Sequence, residues 1–85
     1  MLFTATLSIL AQPSRPTLTF HALRVQKECM NIYTMELDGN GIRQLTNNPW
    51  WHDAYPDWSP DGKEIVFRSR WDLAIMNWDG SNYRR

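Results

Sequence analysis

Tyr55-Pro56-Asp57-Trp58-Ser59-Pro60-Asp61-Gly62-Lys63-Glu64-Ile65-Val66-Phe67-Arg68-Ser69 is the stretch that decides the fold. Pro60 presets φ for the first corner of a tight turn, Asp61 can bond its own backbone, and Gly62 accepts the positive φ that closes the turn. Apolar residues flank the turn on both sides, with Ile65-Val66-Phe67 after it, so the stretch reads as a β-hairpin.

Working outward, the same grammar recurs. Thr17–Ala22 alternates polar and apolar and reads as a strand. Leu23–Met30 is a polar connector. In Asn31–Leu37, Tyr33, Met35 and Leu37 are expected on one face and Ile32, Thr34 and Glu36 on the other. Asp38-Gly39-Asn40-Gly41 is a strong turn signal, and Ile42–Thr46 returns as a strand that Asn47-Asn48-Pro49 breaks. Trp50–Ala54 bridges to the central hairpin. Beyond the hairpin, Arg70-Trp71-Asp72 connects to a strand over Leu73–Trp78, Asp79-Gly80-Ser81-Asn82 turns, and Tyr83-Arg84-Arg85 begins a further strand. Strands are therefore expected over 17–22, 31–37, 42–46, 55–58, 64–69 and 73–78.

Asp38-Gly39 and Asp79-Gly80 lie 41 residues apart, and the same shift carries Ile32 onto Leu73, Met35 onto Met76, Leu37 onto Trp78, Ile42 onto Tyr83 and Arg43 onto Arg84. Phe20 and Phe67 end comparable strands, the longer Leu23–Met30 connector absorbing the difference in spacing. A repeat of roughly 40–45 residues with four short strands per unit is the signature of a propeller blade. The expected fold class is all-β, an antiparallel meander forming about one and a half blades. Residues 17–46 carry the later strands of one blade and 55–85 most of the next. Propellers close with about 4–8 blades, so further blades or self-association are expected to cover the faces left open.

Composition narrows the function classes. The chain has 85 residues, room for one small domain; at this size only about 60–65% of the unfolded surface is buried. Nine basic and nine acidic residues give a formal net charge of zero, which argues against a nucleic-acid surface, since that needs clustered positive charge. Cys29 is the single cysteine, leaving no internal disulfide and no cysteine-based zinc site. Pairing Cys29 with His21 gives no second ligand pair at useful spacing, and no metal or cofactor is expected. Met1–Pro16 opens with an apolar run far shorter than the ~20 residues of a membrane span. It reads as an edge strand, with Phe3, Ala5 and Leu7 alternating against Thr4 and Thr6. The alternative is a secretory signal cut after Ala11, which lacks a basic residue ahead of the apolar run.

Trp58-Ser59-Pro60-Asp61-Gly62-Lys63-Glu64-Ile65-Val66-Phe67 followed by Leu73-Ala74-Ile75-Met76-Asn77-Trp78-Asp79-Gly80 resembles the TolB-type β-propeller repeat, a WD-repeat-like family. Asn31–Gly39 is similar to the third strand of an earlier blade and Arg43-Gln44-Leu45-Thr46 to its fourth; Ala74 stands where the family usually has Tyr. The resemblance covers Thr17–Arg85. It implies a propeller used as a non-enzymatic protein-binding platform, periplasmic or secreted, with the cytoplasm as the alternative location. It also admits the propeller of a prolyl-oligopeptidase-like or carbohydrate-active enzyme. The chain has no G-x-S-x-G elbow, and Ser59 reads as a turn residue.

In an up-and-down meander the connections alternate between the two ends of the strands. Asp38-Gly39, Asp61-Gly62 and Asp79-Gly80 then share one end, while Leu23–Met30, Asn47–Ala54 and Arg70–Asp72 share the other. Tight turns have little freedom to vary, whereas longer connectors carry recognition. The connector end gathers Trp50, Trp51, His52, Asp53, Arg70 and Trp71, and Trp and Arg are enriched in binding hot spots. These six are the expected partner contacts; the competing expectation is that Trp50, Trp51 and Trp71 cover a sheet or a neighbouring blade, or stack on sugar rings. Trp58 and Trp78 are expected in the core. His52-Asp53 as an acid–base or metal pair is disfavoured, because adjacent residues in extended chain point to opposite faces.

Overall fold

The computed structural model describes residues 8–9, 18–23 and 29–85. Within them the chain is all-β, with two antiparallel sheets. The first runs in the order β1 (Ser8–Ile9), β2 (Leu18–Ala22), β3 (Asn31–Met35), β4 (Arg43–Gln44); the second runs β5 (Asp53–Trp58), β6 (Glu64–Ser69), β7 (Asp72–Asn77). Each sheet is a meander in which every strand pairs with its sequence neighbour, the arrangement of successive propeller blades. A single bridge between Ile75 and Arg84 begins a fourth strand on the second sheet. Expected strands and observed strands coincide except at their ends. The return strand shrinks to Arg43–Gln44, and the hairpin's first strand begins at Asp53, two residues before expected. Leu37 falls in the turn and is exposed, not on the face of Tyr33 and Met35. The alternation expected over Phe3–Leu7 lies outside the described residues, while Ser8–Ile9 pairs at the edge of β2.

The repeat is exact at the level of hydrogen bonds. Gly39 N–H donates to Glu36 O at 2.9 Å, as Gly80 N–H does to Asn77 O at 2.9 Å; Asn40 N–H reaches Asp38 Oδ1 at 2.9 Å, as Ser81 N–H reaches Asp79 Oδ1 at 3.0 Å. Gly39 and Gly80 have φ of 87° and 88°, a region open to glycine and costly for other residues. Thr34 pairs with Arg43, and their counterparts Ile75 and Arg84 are bridged. Phe20 faces Tyr33 across one sheet and Phe67 faces Ala74 across the other. Phe20 stacks on Tyr33 with centroids 5.5 Å apart; where Ala74 offers no ring, Phe67 meets Tyr83 at 5.6 Å instead.

The central turn forms as its residues dictate. Gly62 N–H donates to Ser59 O at 2.9 Å, Ser59 Oγ donates to Asp61 Oδ1 at 2.6 Å, and Glu64 N–H donates to Ser59 Oγ at 3.0 Å. Ser59 is thus fully employed in the turn, and its hydroxyl holds the Asp61 carboxyl below the usual carboxylate range. Opposite Phe67, β5 carries two residues, Tyr55 and Pro56, a bulge that Pro56 tolerates because it has no N–H to place in the ladder.

The sheets stack face to face. β5 lies against β2 and β3. Ile32 from the first sheet joins Trp58, Ile65, Phe67, Ala74 and Met76 of the second in one buried cluster, with Leu45 and Trp78 packed on its margin. Trp58 is core as expected, and Trp78 is half-buried against it. Two imidazoles stitch the junction. The Tyr55 N–H, turned by the bulge and a φ of 54°, donates to His21 Nδ1 at 2.9 Å, and the Met30 N–H donates to His52 Nδ1 at 2.9 Å. Burial first, then the charges of Arg68 and His52, hold His21 below its ordinary pKa and so keep it neutral, as an accepting nitrogen must be. The second sheet's outer face, where Leu73 and Val66 line a hollow of about 520 Å³ with Tyr55 and Arg68, is open. Leu73, the repeat counterpart of buried Ile32, is 72% exposed there.

Candidate partner-binding site

The connector from Thr46 to His52 is shaped by Asn31, which is buried at the start of β3. Asn31 Oδ1 accepts the Asn48 N–H at 2.7 Å and the Thr46 hydroxyl at 3.1 Å. Asn48 Oδ1 in turn accepts the N–H of Trp50 at 2.9 Å and of Trp51 at 3.4 Å. This relay of short amide side chains turns the backbone where no sheet partner exists. It presents Trp50, Trp51 and His52 beside the β6–β7 turn, where Arg70 N–H donates to His52 O at 3.1 Å.

Five of the six residues expected at this end come together. Trp50, Trp51, His52, Arg70 and Trp71, with Arg68, line a groove of about 270 Å³. The tryptophans divide into two kinds. Trp50 is 81% exposed and Trp71 86% exposed. Trp51 is half-buried between two guanidiniums, Arg70 at 5.6 Å and Arg85 at 5.0 Å from its ring centroid, and its Nε1–H donates to Ser69 Oγ at 3.0 Å. The aromatics therefore differ: Trp51 packs against the second sheet through Ser69, while Trp50 and Trp71 project.

Asp53 does not join the groove surface. It sits in β5, 1% exposed, with its Oδ1 accepting the Ser69 hydroxyl at 2.6 Å. Burial pushes its carboxyl above the usual range, against the pull of the Ser69 and Thr46 hydroxyls and the charges of Arg85 and His52. The strand begins early enough to carry Asp53 inward, on the side opposite exposed His52, as strand alternation requires. Ser69, itself buried, also lies 2.6 Å from the Tyr83 hydroxyl. Asp53, Ser69, Trp51 and Tyr83 thus form a polar pillar beneath the groove. A second hollow of about 340 Å³ on the other side of Trp50 and Trp51 is lined in part by Asn48, Gly80 and Tyr83.

Three participants escaped the sequence reading: Asn31, Ser69 and Arg68. Asn31 reads as an ordinary strand start. Ser69 and Arg68 both end a strand, and only the register, which sets Asp53 opposite Ser69, reveals which points inward. Arg70 carries φ of 58° at the turn, a left-handed conformation costing about 1–2 kcal/mol for a residue with a Cβ. Glycine would relieve that strain, so the guanidinium is held at a position where backbone chemistry alone would favour its loss.

The comparisons with known proteins add a short match. One stretch of 37 residues, 44% of this chain, is 46% identical to the Tol-Pal system protein TolB of Rhizorhabdus wittichii. The match spans 8% of that protein's length. No protein-family model and no solved structure matches the chain. Taken with the meander sheets and the hydrogen-bonded repeat, the chain is an all-β protein with TolB-like similarity over part of its length.

Proposed function

We propose that the chain is part of a non-enzymatic β-propeller that binds a protein partner through its connector end, in a periplasmic or secreted setting. The observation that carries this reading is the pair of projecting tryptophans, Trp50 and Trp71, at the rim of a groove whose floor is fixed by Trp51 and the Asp53–Ser69 pair. A rigid floor with exposed aromatic anchors is the anatomy of a binding hot spot, because the anchors bury large area without the cost of ordering the site. The polar pillar supplies rigidity: Ser69 Oγ is committed to the Asp53 carboxylate and to Trp51, a structural use of groups that elsewhere serve as nucleophile and base. The TolB-like stretch supports a protein-interaction role by similarity.

The test is affinity for protein partners recovered with the full-length protein. Trp50→Ala and Trp71→Ala should each weaken binding by about 1 kcal/mol or more while leaving the melting temperature unchanged. Trp51→Ala should lower the melting temperature. Unchanged partner affinity in both Trp50→Ala and Trp71→Ala would overturn the reading.

A further inference from the structure

We infer that the connector-end groove takes an acidic peptide segment carrying an apolar side chain; this rests on the partner-binding reading and specifies the partner's chemistry. The argument is the donor inventory of the groove. Its lining side chains are Trp50, Trp51, His52, Arg68, Arg70 and Trp71, which include two guanidiniums and no carboxylate, amide or hydroxyl. His52 Nδ1 accepts the Met30 N–H, so the ring presents its Nε2–H as a donor. Trp51 Nε1 is used by Ser69, leaving the indole N–H groups of Trp50 and Trp71 at the rim. Every polar group the side chains present is therefore a donor.

The guanidiniums are also poised. Arg68 lies over the Tyr55 ring, 5.1 Å from its centroid, and Arg70 over Trp51 at 5.6 Å. Neither guanidinium makes an ion pair or hydrogen bond with the described residues, whereas Arg84 and Arg85 are paired with Glu64 and Asp72. A guanidinium stacked on a ring keeps its edge N–H groups free and its orientation fixed, the arrangement that favours bidentate capture of a carboxylate. A carboxylate is acceptor-only and matches a donor-only site; a neutral sugar hydroxyl needs acceptors as well as donors. Two cations in a chain of zero net charge fall short of the clustered charge a nucleic-acid backbone requires. Trp50 and Trp71 supply the apolar walls for a side chain between the acidic residues.

Fluorescence anisotropy on the full chain tests this with three labelled, end-blocked heptapeptides: one phenylalanine flanked by glutamates, by glutamines or by lysines. The glutamate peptide should bind about tenfold or more tighter than the glutamine peptide, with affinity falling as salt rises, and the lysine peptide weakest. Arg68→Gln and Arg70→Gln should each remove about tenfold from the glutamate peptide and leave the glutamine peptide unchanged. Because Arg70 also supports Trp51, Arg70→Lys serves as a second variant, keeping charge while losing the planar fork; it should bind the glutamate peptide between wild type and Arg70→Gln. Glutamine or lysine peptides binding as well as the glutamate peptide, and lost on Trp71→Ala, would overturn the acidic assignment while leaving the partner-binding reading standing. Preference for a neutral oligosaccharide over the glutamate peptide overturns the assignment as well. No binding of any peptide would count against both.

Discussion

Ile32 and Leu73 occupy the same place in the repeat, 41 residues apart, yet one is fully buried and the other 72% exposed. The difference is that the second sheet covers the face bearing Ile32, while the face bearing Leu73 is open. Truncating each to alanine therefore separates sheet stacking from strand propensity. Ile32→Ala removes three carbons from a cluster of Trp58, Ile65, Phe67, Ala74 and Met76. At about 0.8 kcal/mol per buried carbon the transfer loss is about 2.4 kcal/mol, and the space left behind lifts it to about 3–4 kcal/mol. Leu73→Ala removes exposed atoms and should stay within about 0.5 kcal/mol. For a chain of this length the total is about 4–13 kcal/mol, so the first variant should lose a large share of its stability. Guanidinium unfolding followed by tryptophan fluorescence reads both. Equal losses in the two variants, or a larger loss at Leu73, would refute the stacking.

Two further outcomes follow from the geometry. Gly39→Ala and Gly80→Ala both place a Cβ at a φ near 90°, but at Gly39 it meets open space and at Gly80 it comes within 3.3 Å of Leu45 O; thermal melts should show both destabilised by about 1 kcal/mol or more, with Gly80→Ala the worse. The lowered pKa of His21 gives stability that is present above its ordinary value of 6.5 and lost as pH falls through 6.5 toward the lowered folded value, because the unfolded chain then binds the proton more readily. Arg68, His52 and the Tyr55 ring face that imidazole, and in His21→Asn the wild-type slope of melting temperature between pH 7 and pH 5 should shrink; an unchanged slope would refute the linkage.

The hairpin, the repeat and the all-β class were legible because they rest on local chemistry. Trp58-Ser59-Pro60-Asp61-Gly62 fixes a turn by its own backbone preferences, and the two Asp-Gly turns reproduce one another bond for bond. The clustering at the connector end was legible from strand counting alone. The orientation of individual side chains there was not. Trp50 and Trp51 are neighbours in an irregular segment, where no period assigns faces; their separation into a projecting and a packed ring depends on Asn31, 17 residues before Asn48. Asp53 reads from sequence as part of the Trp50–Ala54 bridge; that β5 starts there depends on its pairing with Ser69 across the bulge at Tyr55-Pro56, which no local pattern reveals. Ala74, where the repeat pattern has an aromatic, gave no hint that Tyr83 would supply the missing ring against Phe67.

The central claim is that two successive blades of one repeat stack face to face, joined through His21. The 2.9 Å bond from Tyr55 N–H to His21 Nδ1 links β5 of the second sheet to β2 of the first and exists only in that arrangement. A nitrogen–nitrogen coupling measured across this hydrogen bond in ¹⁵N-labelled protein at neutral pH reads it directly. A resolved coupling between the Tyr55 amide and His21 Nδ1, with slow exchange of that amide, is the result expected. An uncoupled, fast-exchanging Tyr55 amide in a protein whose β5–β6 hairpin remains protected would contradict the stacking.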